Sequence, residues 1–133
     1  MVRHAEEFRV AWVDTDASGR IHFTAPFRWV EATEVALYRR LGLLDFGRAV
    51  PRRKLETDYR RALRFEDEVV VELRVARVGR TSISYEWSVL SSGELAIKGS
   101  HTLVHVGVDG RPIPIPDAVR DALVETKAAA NLR

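Results

Sequence analysis

The spacing of apolar residues changes once, early in the chain, and the change separates a strand from a long helix. Over residues 7–13 the side chains alternate, with Phe8, Val10 and Trp12 on one face of an expected strand. From Phe27 onward the step becomes three or four. Phe27, Val30, Glu34, Leu37 and Leu41 then share one side of a helix, which Ala32, Ala36 and Tyr38 broaden. The spacing predicts a helix over 24–41, with Thr24 as N-cap, Pro26 in the first turn where a missing N–H costs little, and Gly42 as a left-handed stop. Between strand and helix lies a polar turn. Asp14, Asp16 and Ser18 can bond to their own backbone there, and Gly19 can take a positive φ.

Beyond Pro51 the period is that of strands. Leu55, Thr57 and Tyr59 alternate within an expected strand over 54–63. Val69, Val71, Leu73 and Val75 do so over 67–77, Ile83, Tyr85, Trp87 and Val89 over 81–89, and a last strand is expected over 95–106. Turns fall at 78–80, 91–94 and Asp109-Gly110. Residues 43–47 read as a connector or helical turn. Pro112, Pro114 and Pro116 hold an extended piece, and Asp117 is placed to cap a final helix through about Thr126, with 127–133 frayed. Consecutive strands joined by short turns are antiparallel, so the fold class is α+β, one antiparallel sheet packed around one long helix.

Composition narrows the reading without redirecting it. With 133 residues, 46% hydrophobic and 30% charged, the chain is expected to be one globular domain over 1–133, short for an enzyme that encloses its ligand alone. That shortness raises a site shared between subunits as an arrangement to look for. No window approaches the roughly 18 apolar residues of a membrane span. Residues 1–7 lack the apolar core of a signal peptide, so a cytoplasmic location is expected. A net charge of +2 does not point to nucleic acid. Lysine occurs only at 54, 98 and 127, the other basic residues being arginine. The arginine fork suits phosphate, although coding bias accounts for the same excess.

The candidate chemistry sits at the change of period. Unpaired N–H groups at a helix start suit a carbonyl oxygen that becomes negative during reaction, and an aspartate facing them completes a minimal acyl-transfer apparatus. Asp16 is the acid for that role, a turn-capping aspartate being its alternative; Asp14 is expected to brace the turn. Glu34 stands within the apolar repeat, where a nearby arginine or a partner subunit can pair with it, and Glu31 lies on the same helix. His101 and His105 sit in a strand pattern, where four residues span roughly 13 Å, too far for two ligands of one zinc. No metal site is therefore expected. No serine stands in a Gly-x-Ser-x-Gly elbow. Arg77, Arg80, Thr81 and Ser82 gather at an expected turn, as solvated residues or as a phosphate site.

The run Asp14-Thr15-Asp16-Ala17-Ser18-Gly19 followed by Phe27-Arg28-Trp29-Val30-Glu31 resembles the signature of the 4-hydroxybenzoyl-CoA thioesterase family of hot-dog-fold acyl-CoA thioesterases. Asp67-Glu68-Val69-Val70-Val71 and Gly110-Arg111-Pro112-Ile113-Pro114-Ile115-Pro116 match later family segments, so that the resemblance covers about 6–123. It implies a hot-dog fold dimerising through the sheet, active sites at the dimer interface of a homodimer or homotetramer, and hydrolysis of an acyl- or aryl-CoA thioester with no metal or organic cofactor. It places the catalytic carboxylate on Asp16, as nucleophile or general base, and the carbonyl-polarising N–H on Phe23. His22, Thr24 and Glu31 fall in substrate-binding positions, and the nucleotide end of CoA falls on Arg77, Arg80, Thr81 and Ser82. Ala25-Pro26 departs from the Asn-Tyr of many members, and Pro26 has no N–H to donate. A non-catalytic acyl-CoA or acyl-carrier-protein binding module with the same cleft is the competing reading; a hot-dog dehydratase would need a histidine and an aspartate placed together.

Overall fold

Alternate residues of two central strands build the floor of the core. In the computed structural model, which describes residues 1–124, the strands are β1 (Arg3–Arg9), β2 (Arg52–Tyr59), β3 (Glu68–Val78), β4 (Ser82–Ser91) and β5 (Glu94–Val104). Val69, Val71, Leu73 and Val75 of β3 and Ile83, Tyr85, Trp87 and Val89 of β4 are all buried, as the alternation requires. The helices are α1 (Ala25–Leu41), α2 (Leu44–Gly47) and α3 (Asp117–Leu123). The sheet is antiparallel throughout, in the order β1-β3-β4-β5-β2, and the buried side of α1 joins its core. This is the hot-dog arrangement of class α+β. Within it the Tyr38 and Tyr85 hydroxyls meet at 2.7 Å, tying α1 to β4. Fully burying a residue such as Leu37 stabilises the fold by about 1.5–3 kcal/mol.

Several elements differ from their expected form. The first strand starts and stops earlier than its alternation suggests, because the chain folds into a single tight helical turn over Trp12–Asp14. Trp12 is consequently 74% exposed, against the ring edge of Phe65 at a centroid distance of 5.3 Å, instead of sharing a face with Phe8 and Val10. The buried stripe of α1 consists of pairs, Ala25/Pro26, Trp29/Val30, Thr33/Glu34 and Leu37/Tyr38, which leaves Phe27 and Leu41 on its flank and Ala32 exposed. Strand β2 ends at Tyr59, before the expected 63, and pairs with β5 at the far edge instead of with the strand that follows it. A segment that crosses the end of the sheet connects it to β3, and no tight turn forces the two together. Asp117 is the first residue of α3 and makes no capping bond; Pro116 stands at the cap. The expected extension of that helix to Thr126 and the frayed end over 127–133 lie outside the described residues.

Where turns demanded particular backbones, the structure has them. Gly19 has φ 81°, Gly42 closes α1 with φ 73°, and Ser92 and Gly93 both take positive φ in the β4–β5 hairpin. Gly99 is required by space: a Cβ there would lie 2.3 Å from the Trp87 ring and 2.6 Å from the Glu56 carbonyl oxygen. No helix among the described residues is long and apolar enough to cross a membrane.

Candidate active site

The two aspartates of the turn are held differently. Asp14 is buried and bonded on every side. Its Oδ2 accepts the Ala11 N–H at 2.8 Å, its Oδ1 accepts Arg28 Nη2 at 2.8 Å, and its main-chain oxygen accepts the His22 N–H at 2.7 Å. Asp16 is exposed, and its Oδ1 alone takes both bonds from Ser18, the N–H at 2.8 Å and the hydroxyl at 2.5 Å. The second carboxylate oxygen of Asp16 is left without a partner among the described residues. Those Ser18 bonds, helped by His22 and Arg20, outweigh partial desolvation and hold the Asp16 carboxyl below the usual aspartate range. Asp16 thus closes the turn and also stays ionised with one free oxygen.

The start of α1 is organised by His22. Thr24 has helical backbone angles and no side-chain cap, because its hydroxyl meets His22 Nδ1 at 2.7 Å. The same ring nitrogen accepts the Thr24 N–H at 3.2 Å, and the His22 carbonyl oxygen accepts the Ala25 N–H at 2.9 Å. Thr24 therefore stands at the N-cap as expected, but its hydroxyl is engaged by the histidine two residues earlier instead of by the helix backbone. Among the described residues the Phe23 N–H has no acceptor, while the Phe23 carbonyl oxygen accepts the Tyr59 hydroxyl. The Phe23 ring is 65% exposed and stacks on His22 with centroids 4.5 Å apart. Asp16, Phe23 and Tyr59 line one cleft of about 340 Å³, with Arg20, Arg60 and Arg61 on its rim. Two residues that line one cleft thus carry an unpartnered carboxylate oxygen, a group able to activate a water or attack a carbonyl, and an unpaired N–H, a group able to receive the charge that results.

The match to the thioesterase-like superfamily spans residues 2–123. The chain belongs to that superfamily. Membership places it among thioester hydrolases. Similar solved structures share the fold over nearly the whole chain. A predicted thioesterase from Bacillus stearothermophilus is 28% identical, with a TM-score of 0.83 over 92% of this chain and 94% of that one. A thioesterase from Thermus thermophilus, solved with coenzyme A and Zn, is 30% identical, with a TM-score of 0.83 over 90% of this chain and 91% of that one. A 1,4-dihydroxy-2-naphthoyl-CoA thioesterase from Synechocystis, at 15% identity and a TM-score of 0.86 over 93% and 97% of the two chains, shares the fold. No curated protein matches the chain.

In this thioesterase-like chain the remaining candidate residues do not meet Asp16 within one protomer. The Asp16 turn lies at the β3 start, where Val10 bonds Asp67 and Ile21 bonds Leu63. Arg77, Arg80, Thr81 and Ser82 lie around the turn at the other end of that 11-residue strand, roughly 33 Å away. Glu31 is exposed and stands 3.8 Å from Arg52, at the same far end of the sheet. Glu34 is buried beside it, with its Oε2 2.5 Å from Arg52 Nη2 and 3.4 Å from His101 Nε2. Its partner is therefore Arg52, not another residue of its own helix. These groups border a second cavity of about 560 Å³ that Tyr38 and Val50 also line. A third hollow of about 530 Å³ lies over Trp87 and Gly99, away from the Asp16 turn.

Tyr59 and the arginines that line the candidate cleft, and Arg28, which holds Asp14 beside it, were not picked out as candidates from the sequence. The strand alternation grouped Tyr59 with Leu55 and Thr57, but nothing local says that the end of β2 meets the start of α1. Arg28 was visible as part of a family-like run and as a candidate partner of Glu34, but it pairs with Asp14, 14 residues before it.

Proposed function

We propose that the protein is an acyl-CoA thioesterase of the 4-hydroxybenzoyl-CoA thioesterase type, with Asp16 as its catalytic acid. The observation that carries this reading is that one cleft is lined both by Asp16, which keeps a carboxylate oxygen without a partner among the described residues, and by Phe23, whose N–H has no acceptor among them. The substrate carbonyl oxygen takes the Phe23 N–H, and the ionised Asp16 either removes a proton from the attacking water or attacks the carbonyl itself. By the first route the water oxygen bonds to carbon, the oxyanion collapses, and CoA leaves as its thiol or thiolate with the free acid. By the second, the Asp16 carboxylate oxygen bonds to the carbonyl carbon, the C–S bond breaks and CoA leaves as its thiolate, and water then cleaves the mixed anhydride to the free acid and the restored Asp16 carboxylate. The Thermus relative was solved with coenzyme A, which supports CoA as the carrier.

The active unit is a dimer joined along β2. That strand is an open sheet edge whose helix-facing side chains Leu55 and Tyr59 are 47% and 44% exposed. Antiparallel pairing of two β2 strands carries the Arg52 end of one subunit to the Tyr59 end of the other. The far-end residues Arg77, Arg80, Thr81, Ser82 and Glu31 of the partner subunit then complete the cleft: the first four hold the nucleotide end of CoA, and Glu31 meets the acyl group, as His22 and Thr24 do from the near side. Hydrolysis of a panel of short, long and aromatic acyl-CoAs tests the activity. Asp16→Asn is expected to lower kcat on the order of a hundredfold or more with acyl-CoA binding kept. Tight acyl-CoA binding with no turnover by the parent protein would establish the binding module instead, and a strict monomer in light scattering, with activity intact, would remove the shared site.

A further inference from the structure

We infer that Tyr59 is a positioning residue that aims the Phe23 N–H into the cleft by gripping the Phe23 carbonyl oxygen. The inference rests on the thioesterase reading above and adds to it the device that fixes the polarising group. A lone N–H is useful to a developing oxyanion only if its direction is set before the substrate arrives. The peptide that carries this N–H, between His22 and Phe23, is held on its carbonyl side by the Ala25 N–H at 2.9 Å. The next peptide is held by the Thr24 N–H on His22 Nδ1 at 3.2 Å. Both bonds run between residues two or three apart, so they would travel with the loop if the loop swung.

The Tyr59 hydroxyl is different in kind. Among the described residues it alone bonds Phe23 to the sheet, across 36 positions of sequence. Its base is firm, because the N–H groups of Arg60 and Arg61 both reach the Ala96 carbonyl oxygen, at 2.8 and 3.0 Å. That oxygen is available because Ala96 sits where the β4–β5 register shifts, between Val89↔Ile97 and Leu90↔Leu95. Burial pushes the Tyr59 hydroxyl pKa up, so the group keeps its proton and donates. With peptides on both sides of Phe23 bound and its own N–H unbound, the loop presents one donor at a set angle.

Tyr59→Phe removes the hydroxyl and leaves the ring. The expected result is a fall of about tenfold in kcat, smaller than the loss on deleting an oxyanion donor outright, with KM for the best acyl-CoA within about twofold. The thermal midpoint should stay within about 4 °C, as for one partly exposed hydrogen bond. In ¹⁵N relaxation measurements the Phe23 amide should lose order while the amides of β3 and β4 do not. A looser Phe23 amide with kcat unchanged would overturn the inference, and so would a fall in kcat with the amide undisturbed, which would put Tyr59 in direct contact with the substrate. A rise in KM alone would reduce Tyr59 to a binding contact and overturn it as well. If the parent protein hydrolyses no thioester, the thioesterase reading fails before any substitution is made, and this role fails with it.

Discussion

Arg28 Nη2 lies 2.8 Å from Asp14 Oδ1, so the first turn of α1 is bolted to the buried acid two residues before Asp16. The Asp14 side chain is 8% exposed and that of Arg28 52%, so the pair is dry at the carboxylate and wet at the guanidinium. Only Asp14 in this turn has both carboxylate oxygens and its main-chain oxygen occupied. Its function is to hold the loop that carries Asp16 and Phe23.

Asp14→Asn should therefore cost stability first. The amide keeps one acceptor and loses its charge, so about 1–2 kcal/mol is expected, the low end for bonds to charged groups because Arg28 is half in water. Chemical denaturation measures that loss. At a temperature where the variant is fully folded, kcat should fall far less than in Asp16→Asn; an equal fall in both would assign the chemistry to the pair of acids jointly.

Activity should persist to unusually low pH for an aspartate-dependent reaction. The Ser18 bonds are the largest cause that holds the Asp16 carboxyl below its ordinary range, so the ionised form that the proposed mechanism uses survives as pH drops through the range where a free aspartate would protonate. The acid limb of kcat/KM, which reports the free enzyme, should lie below that range. Ser18→Ala removes the hydroxyl bond and should move the limb to higher pH. An unmoved limb would show that the titrating group is not Asp16.

Much of the near half of the site was legible because its determinants are local. The polar turn, the positive φ of Gly19, the helix and its glycine stop all follow from residues within a few positions of one another. Thr24 stands at the N-cap as expected but makes no side-chain capping bond, because His22, two residues away, competes for the same hydroxyl, and residue preference alone does not decide that competition. What was not legible is long-range: the placement of β2 beside β5, the contact of Tyr59 with Phe23, and the pairing of Glu34 with Arg52, 18 residues on. Trp12 misled for a related reason. Its spacing continues a strand, but the Ala11–Asp14 side-chain bond curls the backbone before the strand can reach it.

Substitution at the far turn tests whether the two ends of the sheet serve one site. Arg77 near the end of β3 and Arg80 within the β3–β4 connection are both exposed, and the Arg80 carbonyl oxygen is used by the Ile115 N–H, which anchors the backbone while freeing the side chain. A charge-assisted bond to phosphate is worth roughly 1.5–3 kcal/mol, so Arg80→Ala should raise KM for acyl-CoA about ten- to a hundredfold. Short pantetheine thioesters, which lack the nucleotide, should be almost unaffected. Equal losses on both substrates would mean that the residue supports the fold.

Glu34 should contribute stability that depends on pH in a defined direction. Burial alone would raise its carboxyl, but the His101 ring at 3.4 Å and the Arg52 guanidinium at 2.5 Å outweigh burial, and the folded-state pKa lies below the usual glutamate value. A carboxyl whose pKa is depressed by folding stabilises the protein fully above its unfolded pKa and loses that contribution as pH falls through the folded one. The parent should therefore weaken on acidification below the ordinary glutamate range, and Glu34→Gln should remove that part of the slope. At neutral pH the same substitution leaves Arg52, whose Nη1 is already buried without a partner among the described residues, with no acidic neighbour among them closer than Glu31 at 3.8 Å. A loss of about 3 kcal/mol is expected, the low end for breaking a buried pair because Arg52 retains some exposure. Replacing both members with apolar residues, Glu34→Leu with Arg52→Met, should recover most of it, since the cost arises from an unpaired charge and not from the missing attraction. Denaturation of the parent, the single variant and the double variant at fixed protein concentration, at neutral and acidic pH, measures all three quantities. A double variant no more stable than Glu34→Gln would show that the ion pair itself, with His101 beside it, holds α1 to β2 and β5.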